Sequence, residues 1–157
     1  VLAQARDAVH EAVPLMTVLL ALLLTFGVGA VAVIHAMWGF GSHWPEANEE
    51  ALARSVVGDG RRRMPPAWQS FAVAAVLAVM ALWPWYALGR MTDPRVLSGT
   101  YVIAGIFVAR CVAGYSYRWK AHFTMEPFVT RNRKYYSPFC LLMGVGYVAL
   151  AAGALDL

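Results

Sequence analysis

Four apolar stretches fill most of this 157-residue chain, at about residues 13–38, 67–88, 96–115 and 137–157. Each comes close to the roughly 20 residues that a helix rising 1.5 Å per residue needs to cross a hydrocarbon core of about 30 Å. The expected fold class is all-α, an integral membrane four-helix bundle forming one domain over residues 1–157. Composition agrees: 60% hydrophobic residues, 14% charged residues and a mean hydropathy of +0.54 lie outside the range of ordinary soluble domains. No segment between the spans is long enough to bury a core of its own, so no separate catalytic module is expected.

The first stretch reads as a span rather than a secretory signal. Arg6 precedes it together with Asp7 and Glu11, which is not a basic n-region. Its apolar run exceeds the ~7–15 residues of a signal core and ends in His35-Ala36-Met37-Trp38 instead of a small-residue cleavage site. The chain opens on Val1, which predicts an initiator residue or short leader ahead of it.

Charge sets the expected orientation. Nine basic residues fall in the two longer loops, Gly39–Pro66 and Ser116–Tyr136, and three (Arg6, Arg90 and Arg95) fall on the opposite side. The positive-inside rule then places both longer loops in the cytoplasm and both termini in the periplasm of a bacterial inner membrane. Arg61, Arg62, Arg63, Arg131, Arg133 and Lys134 are positioned to meet lipid headgroups. This also accounts for the net charge of +4 without nucleic acid. Trp38, Trp68, Tyr115, Tyr117, Trp119, Tyr135 and Tyr136 would form the inner aromatic belt. Trp83, Trp85, Tyr86 and Tyr101 would form the outer one.

The first loop carries helix punctuation. Pro45 and Glu46 are followed by Glu49 and Glu50, then by the apolar positions Leu52, Val56 and Val57, and then by Gly58. The expected product is a short amphipathic helix over about Glu46–Val57, resting on the cytoplasmic face of the bundle or in the headgroups. Within the spans, Gly105, Ala109 and Ala113 recur every four residues, and Gly146, Ala149 and Gly153 form a similar line. Such lines are read here as helix-packing faces.

Polar residues in the apolar stretches are the candidates for function. Arg110 is the only basic residue inside a span, about five residues from the cytoplasmic end of its helix. At that depth, roughly 7–8 Å, an arginine either snorkels to the surface or binds a ligand, and both readings stand. His35, in the last turn of the first span, either bonds a nearby carbonyl or serves a proton-handling, anion-binding or ligating role. Cys111, Cys140 and His35 share that depth, but their spacing matches no metal motif. No metal site is therefore expected, and no haem or chlorin is called for by a single histidine. The reducing cytoplasmic side also argues against a disulfide. No nucleophile motif, phosphate loop, HExxH or CxxC occurs, and no acidic residue lies in the middle of a span. A proton- or cation-coupled transporter usually needs such a carboxylate.

Several segments together resemble an uncharacterised bacterial family of small four-span membrane proteins, catalogued as a domain of unknown function. They are His35-Ala36-Met37-Trp38-Gly39, His43-Trp44-Pro45, Val56-Val57-Gly58, Met64-Pro65-Pro66, and Arg133-Lys134-Tyr135-Tyr136-Ser137-Pro138-Phe139-Cys140-Leu141. The resemblance implies the four-span architecture and brings no reaction, substrate or cofactor. The expected topology gathers His35, Trp38, Trp44, Met64, Arg110, Tyr136 and Cys140 in the cytoplasmic layer. Of these, His35, Trp38, Trp44, Arg110 and Tyr136 are the ligand candidates. Two functions lead as expectations, ahead of a membrane enzyme or a metal or haem protein. One is a non-enzymatic accessory or assembly subunit held to other membrane polypeptides. The other is a protein that binds or moves a small anionic amphiphile, lipid or quinone-like, around Arg110 and His35.

Overall fold

Long runs of Leu, Ala, Val and Met favour helix, and lipid offers a backbone no other hydrogen-bond partner. The computed structural model describes the backbone of residues 2–153 and the side chains of residues 15–153. Seven α-helices follow in order: α1 (Leu2–Gly39), α2 (Glu49–Val56), α3 (Ala67–Ala87), α4 (Pro94–Tyr115), α5 (Tyr117–His122), α6 (Phe128–Arg131) and α7 (Ser137–Gly153). Four helical segments are long and apolar enough to cross a membrane: Leu15–Gly39, Ala67–Ala87, Pro94–Tyr115 and Phe128–Gly153. The structure is thus all-α, with the expected short helix between the first two spans.

Two helix pairs make the bundle, α1 with α3 and α4 with α7, and α1 joins them by packing on α7. The core between them is built from Leu24, Val28, Met80, Phe107, Met143 and Tyr147, with the Phe107 and Tyr147 rings stacked 5.9 Å apart. Large apolar side chains also point outward on the spans; Leu23, Phe26, Val79, Val102, Val112 and Leu142 are all exposed. That is the pattern of helices whose outer solvent is hydrocarbon.

The small-residue lines fall differently from their spacing. Gly105 and Ala109 are exposed and Ala113 half-buried; no atom comes within 4 Å of a Cβ built on Gly105. Ala149 is likewise exposed, and Gly153 has open space around it. Of the expected packing residues, Gly146 makes a close approach, where a Cβ would lie 2.8 Å from Leu24, and so does the neighbouring Gly144, where a Cβ would lie 2.7 Å from Val108. A four-residue spacing defines a face of a helix, but it does not say which way that face turns.

The fourth span begins earlier than its apolar run predicts. It starts at Phe128, passes through a π-helical turn at Asn132–Tyr136 and continues as α7, so nine residues expected as loop are helical. Ser137 N–H donates to Asn132 O, the five-residue step of a π-turn. The widened turn sits just before Pro138, which offers no N–H and whose ring crowds the carbonyl four residues back. Residues 154–157, the expected end of this span, lie outside the described residues, as do the side chains of Arg6, Asp7 and Glu11.

A second proline shapes α3. Pro84 leaves the Met80 carbonyl without its helical partner, and the buried Tyr147 hydroxyl donates to it at 2.6 Å from α7. The next carbonyl, Ala81 O, accepts from Thr25 Oγ1 of α1 at 2.8 Å, and Thr25 accepts in turn from Trp85 Nε1. At the short α3–α4 connection Trp83 donates to Thr100 Oγ1 at 2.9 Å and packs over Gly99. Trp83 and Trp85 therefore tie helices together.

The two longer loops meet at the opposite end of the bundle. Helix α2 starts three residues later than expected, because Asn48 caps it by accepting from Ala51 N–H at 2.9 Å. Its buried residues are Leu52, Ala53 and Ser55. Four contacts fasten the first long loop to the second loop and the fourth span: Glu46 pairs with Arg131, Tyr136 O–H donates to Ser55 O, Met125 N–H donates to Gly58 O, and Gly58 lies against Phe128. Gly58 has φ +76°, and a Cβ there would lie 2.3 Å from the Phe128 ring. Gly58→Ala is expected to cost about 2 kcal/mol, from a left-handed backbone and a steric clash together. Limited proteolysis would then cut the first loop faster; an unchanged cleavage rate would mean that α2 is not held by this contact.

Candidate functional site

Arg110 enters the structure from the last two turns of α4, on the side facing the π-turn. Its Nη2 donates to Asn132 Oδ1 at 3.1 Å, and its guanidinium lies 4.4 Å from the centre of the Trp119 ring. Asn132 is buried and bonded at both its polar atoms: Nδ2 donates to Gly114 O at 3.0 Å, and Oδ1 also accepts from the buried Ser137 hydroxyl at 3.3 Å. The π-turn begins at Asn132, and the five-residue step carries Ser137 back to it. Trp119 is placed by α5, which Ser116 caps by accepting from Trp119 N–H at 3.2 Å.

Beside this cluster lies a cavity of about 210 Å³, lined among others by Trp119, Lys120, Phe123, Phe128, Asn132 and Arg133. Two buried donors have no hydrogen-bond partner: Trp119 Nε1, on a lining residue, and Arg110 Nη1, close to the lining residue Gly114. An orphaned buried donor costs about 1–3 kcal/mol, more when charged. Gly114 makes the cluster possible. A Cβ there would lie 2.2 Å from Ser137 Oγ and 2.9 Å from Arg110 Nη1.

A family model described as a protein of unknown function, DUF3995, matches residues 28–147. The chain belongs to the DUF3995 family. The match takes in the greater part of the helical bundle, both longer loops and every residue of the Arg110 cluster. No curated protein and no solved structure matches the chain.

Of the ligand candidates expected from the sequence of this DUF3995 chain, none lines the cavity, and Arg110 lies next to it, bonded to the lining residue Asn132 and stacked on the lining residue Trp119. His35 Nδ1 lies 2.8 Å from Val31 O in its own helix, which requires the proton on Nδ1, and its ring packs 4.8 Å from Trp38. Trp38 Nε1 donates to Trp44 O at 2.8 Å, folding the start of the first loop back on α1. Tyr136 holds α2 through Ser55 and touches the Phe128 ring at 6.1 Å. None of His35, Trp38, Trp44 and Tyr136 lines the cavity. Of the headgroup candidates, Arg133 lines the cavity, Arg131 is paired with Glu46, Arg62 lies 3.8 Å from Glu50, and Arg61 is bonded to Asp59. That last guanidinium holds the Asp59 carboxyl below the usual carboxylate range. Among the described residues, no three His, Cys, Asp or Glu side chains gather to hold a metal ion. Cys111 and Cys140 are free thiols.

Sequence reasoning missed Asn132, Gly114, Lys120, Phe123 and Phe128, and took Trp119 only as a belt aromatic. The available signal was the aromatic density of the second long loop. Tyr117, Trp119, Phe123 and Phe128 within twelve residues exceed what a solvated tether needs.

Proposed function

We propose that this DUF3995 protein is a membrane protein that binds a small amphiphile bearing hydrogen-bond acceptors, lipid or quinone-like, in the pocket between α4, α5 and α6. The observation that supports this reading is the pair of unpartnered buried donors, Arg110 Nη1 and Trp119 Nε1, beside a cavity whose lining includes Tyr115, Phe123 and Phe128. Ligand sites are commonly apolar concavities with a few convergent polar groups, and helix bundles place them between facing helices. The pocket lies in the layer that also holds the longer loops and nine basic residues. By the positive-inside rule we assign that layer to the cytoplasmic side of a bacterial inner membrane, with both termini across it. A ligand entering from the leaflet would leave its tail in lipid while its polar end meets the two donors.

The test is native mass spectrometry of the full chain extracted gently from its own membrane. The unsubstituted protein is expected to carry a small bound molecule, and Arg110→Met and Trp119→Phe are each expected to lose it. Trp119→Phe is the sharper variant, since it removes the donor and keeps an aromatic ring under Arg110. Retention of the same adduct by both folded variants would end this reading. A stable complex with other membrane polypeptides and no small adduct would favour the accessory-subunit reading instead.

A further inference from the structure

The ligand's polar group can be named from the charges around the same pocket, an inference that rests on the ligand-binding reading above. We propose that the group is a phosphate, carried by a lipid headgroup or free in solution, rather than the carbonyl of a neutral ring. The first ground is uncompensated charge. Lys120 and Arg133 line the cavity and no aspartate or glutamate does. Arg61, Arg62 and Arg131 each have a carboxylate within 4.0 Å, whereas among the described residues Arg110 forms no ion pair. A half-buried guanidinium at membrane depth without a counter-charge is costly, and an anion removes that cost.

The second ground is donor geometry. The two orphans belong to different helices, α4 and α5, and lie near each other, the Arg110 guanidinium 4.4 Å from the centre of the Trp119 ring. A phosphate offers several strong acceptor oxygens around one centre, enough for a guanidinium N–H and an indole N–H together, with Lys120 on the rim. A single quinone carbonyl satisfies the donors less well and leaves the charge unpaired. The third ground is size. About 210 Å³ lies below the roughly 300–1,000 Å³ of pockets that enclose a drug-sized ligand, so it suits a headgroup and not a substituted ring with its chain. The Phe123 and Phe128 walls then face the first carbons beyond the phosphate.

The full chain in a maltoside detergent, which contains no phosphate, is titrated with dioctanoyl phosphatidic acid, with inorganic phosphate and with a short-chain ubiquinone. Native mass spectrometry counts adducts, and tryptophan fluorescence follows occupancy. Phosphatidic acid is expected to bind one to one, at least tenfold more weakly in Arg110→Met and Trp119→Phe and unchanged in Arg95→Met at the other end of the bundle. Phosphatidic acid binding much tighter than inorganic phosphate identifies a lipid headgroup as the source; equal binding identifies free phosphate. Preference for ubiquinone with the same sensitivity to Arg110 and Trp119 overturns the phosphate and leaves the pocket standing. If no probe responds to either variant, both readings fall. Far-UV circular dichroism confirms that the variants fold, and Trp119→Phe carries the test should Arg110→Met not.

Discussion

Gly114→Ala is expected to lower the stability of the bundle by about 2 kcal/mol and to abolish ligand binding in the pocket proposed above. The added carbon would lie 2.2 Å from Ser137 Oγ, 2.9 Å from Arg110 Nη1 and 3.1 Å from Asn132 Nδ2, so three polar groups must move at once. Overpacking in a tight interior costs about 1–3 kcal/mol. Here the displaced groups are also hydrogen-bonded: Asn132 accepts from Arg110 and Ser137 and donates to Gly114 O. At 2–4 °C per kcal/mol for a chain of this size, a thermal melt in detergent should shift down by about 4–8 °C. Ser137→Ala removes the nearest obstacle, so the double variant Gly114→Ala/Ser137→Ala should be more stable than the sum of its parts predicts. A melt within 1 °C of the unsubstituted protein, with ligand retained, would mean the cluster is too loose to be a preformed site.

Tyr147→Phe is expected to cost about 1–2 kcal/mol through one lost hydroxyl at the centre of the bundle. The hydroxyl donates to Met80 O, the carbonyl that Pro84 leaves without a helical partner. Hydrogen bonds between membrane helices average about 0.6 kcal/mol and reach about 1.7, whereas a buried carbonyl left unpaired costs about 1–3 kcal/mol. The second case applies, because no water reaches a site where Tyr147 is fully buried. Pro84→Ala restores an N–H at position 84 and gives Met80 O its own helical donor. In that background Tyr147→Phe should cost under about 0.5 kcal/mol, and the difference is a double-mutant cycle read by chemical or thermal unfolding in detergent. Equal costs in both backgrounds would refute the link between the proline and the tyrosine.

These two sites show where sequence reading stops. Pro84 near the end of an apolar run announces an orphaned carbonyl, since the consequence of a missing N–H is local. That Tyr147 answers it, 67 residues away, depends on how α7 is rotated against α3. Arg110 stands out in any reading, because a charge within an apolar run is visible without coordinates. Its partners were not legible. Asn132 and Trp119 lie in what composition alone presents as a loop, and Pro138 reads as the first turn of a new helix although it follows a π-turn inside a longer one. The pattern His35-x-x-Trp38-Gly39 drew notice as a possible site. In the structure His35 bonds the Val31 carbonyl, Trp38 bonds the Trp44 carbonyl, and a Cβ on Gly39 would lie 2.7 Å from the Phe71 ring.

The sequence by itself determined the number and approximate position of the long apolar helices, the short helix between the first two, and the charge of Arg110 within the third. Each of these is a sum over neighbouring residues, and hydropathy over about twenty positions needs no knowledge of the rest of the chain. Only the tertiary structure decided which faces meet. It turned Gly105 and Ala109 outward, brought Gly144 and Gly146 inward, carried the second long loop into the fourth helix, and closed Trp119 and Asn132 around Arg110. Those outcomes depend on the rotation and axial shift of one helix against another, which side-chain volumes from distant parts of the chain set jointly and no local window contains.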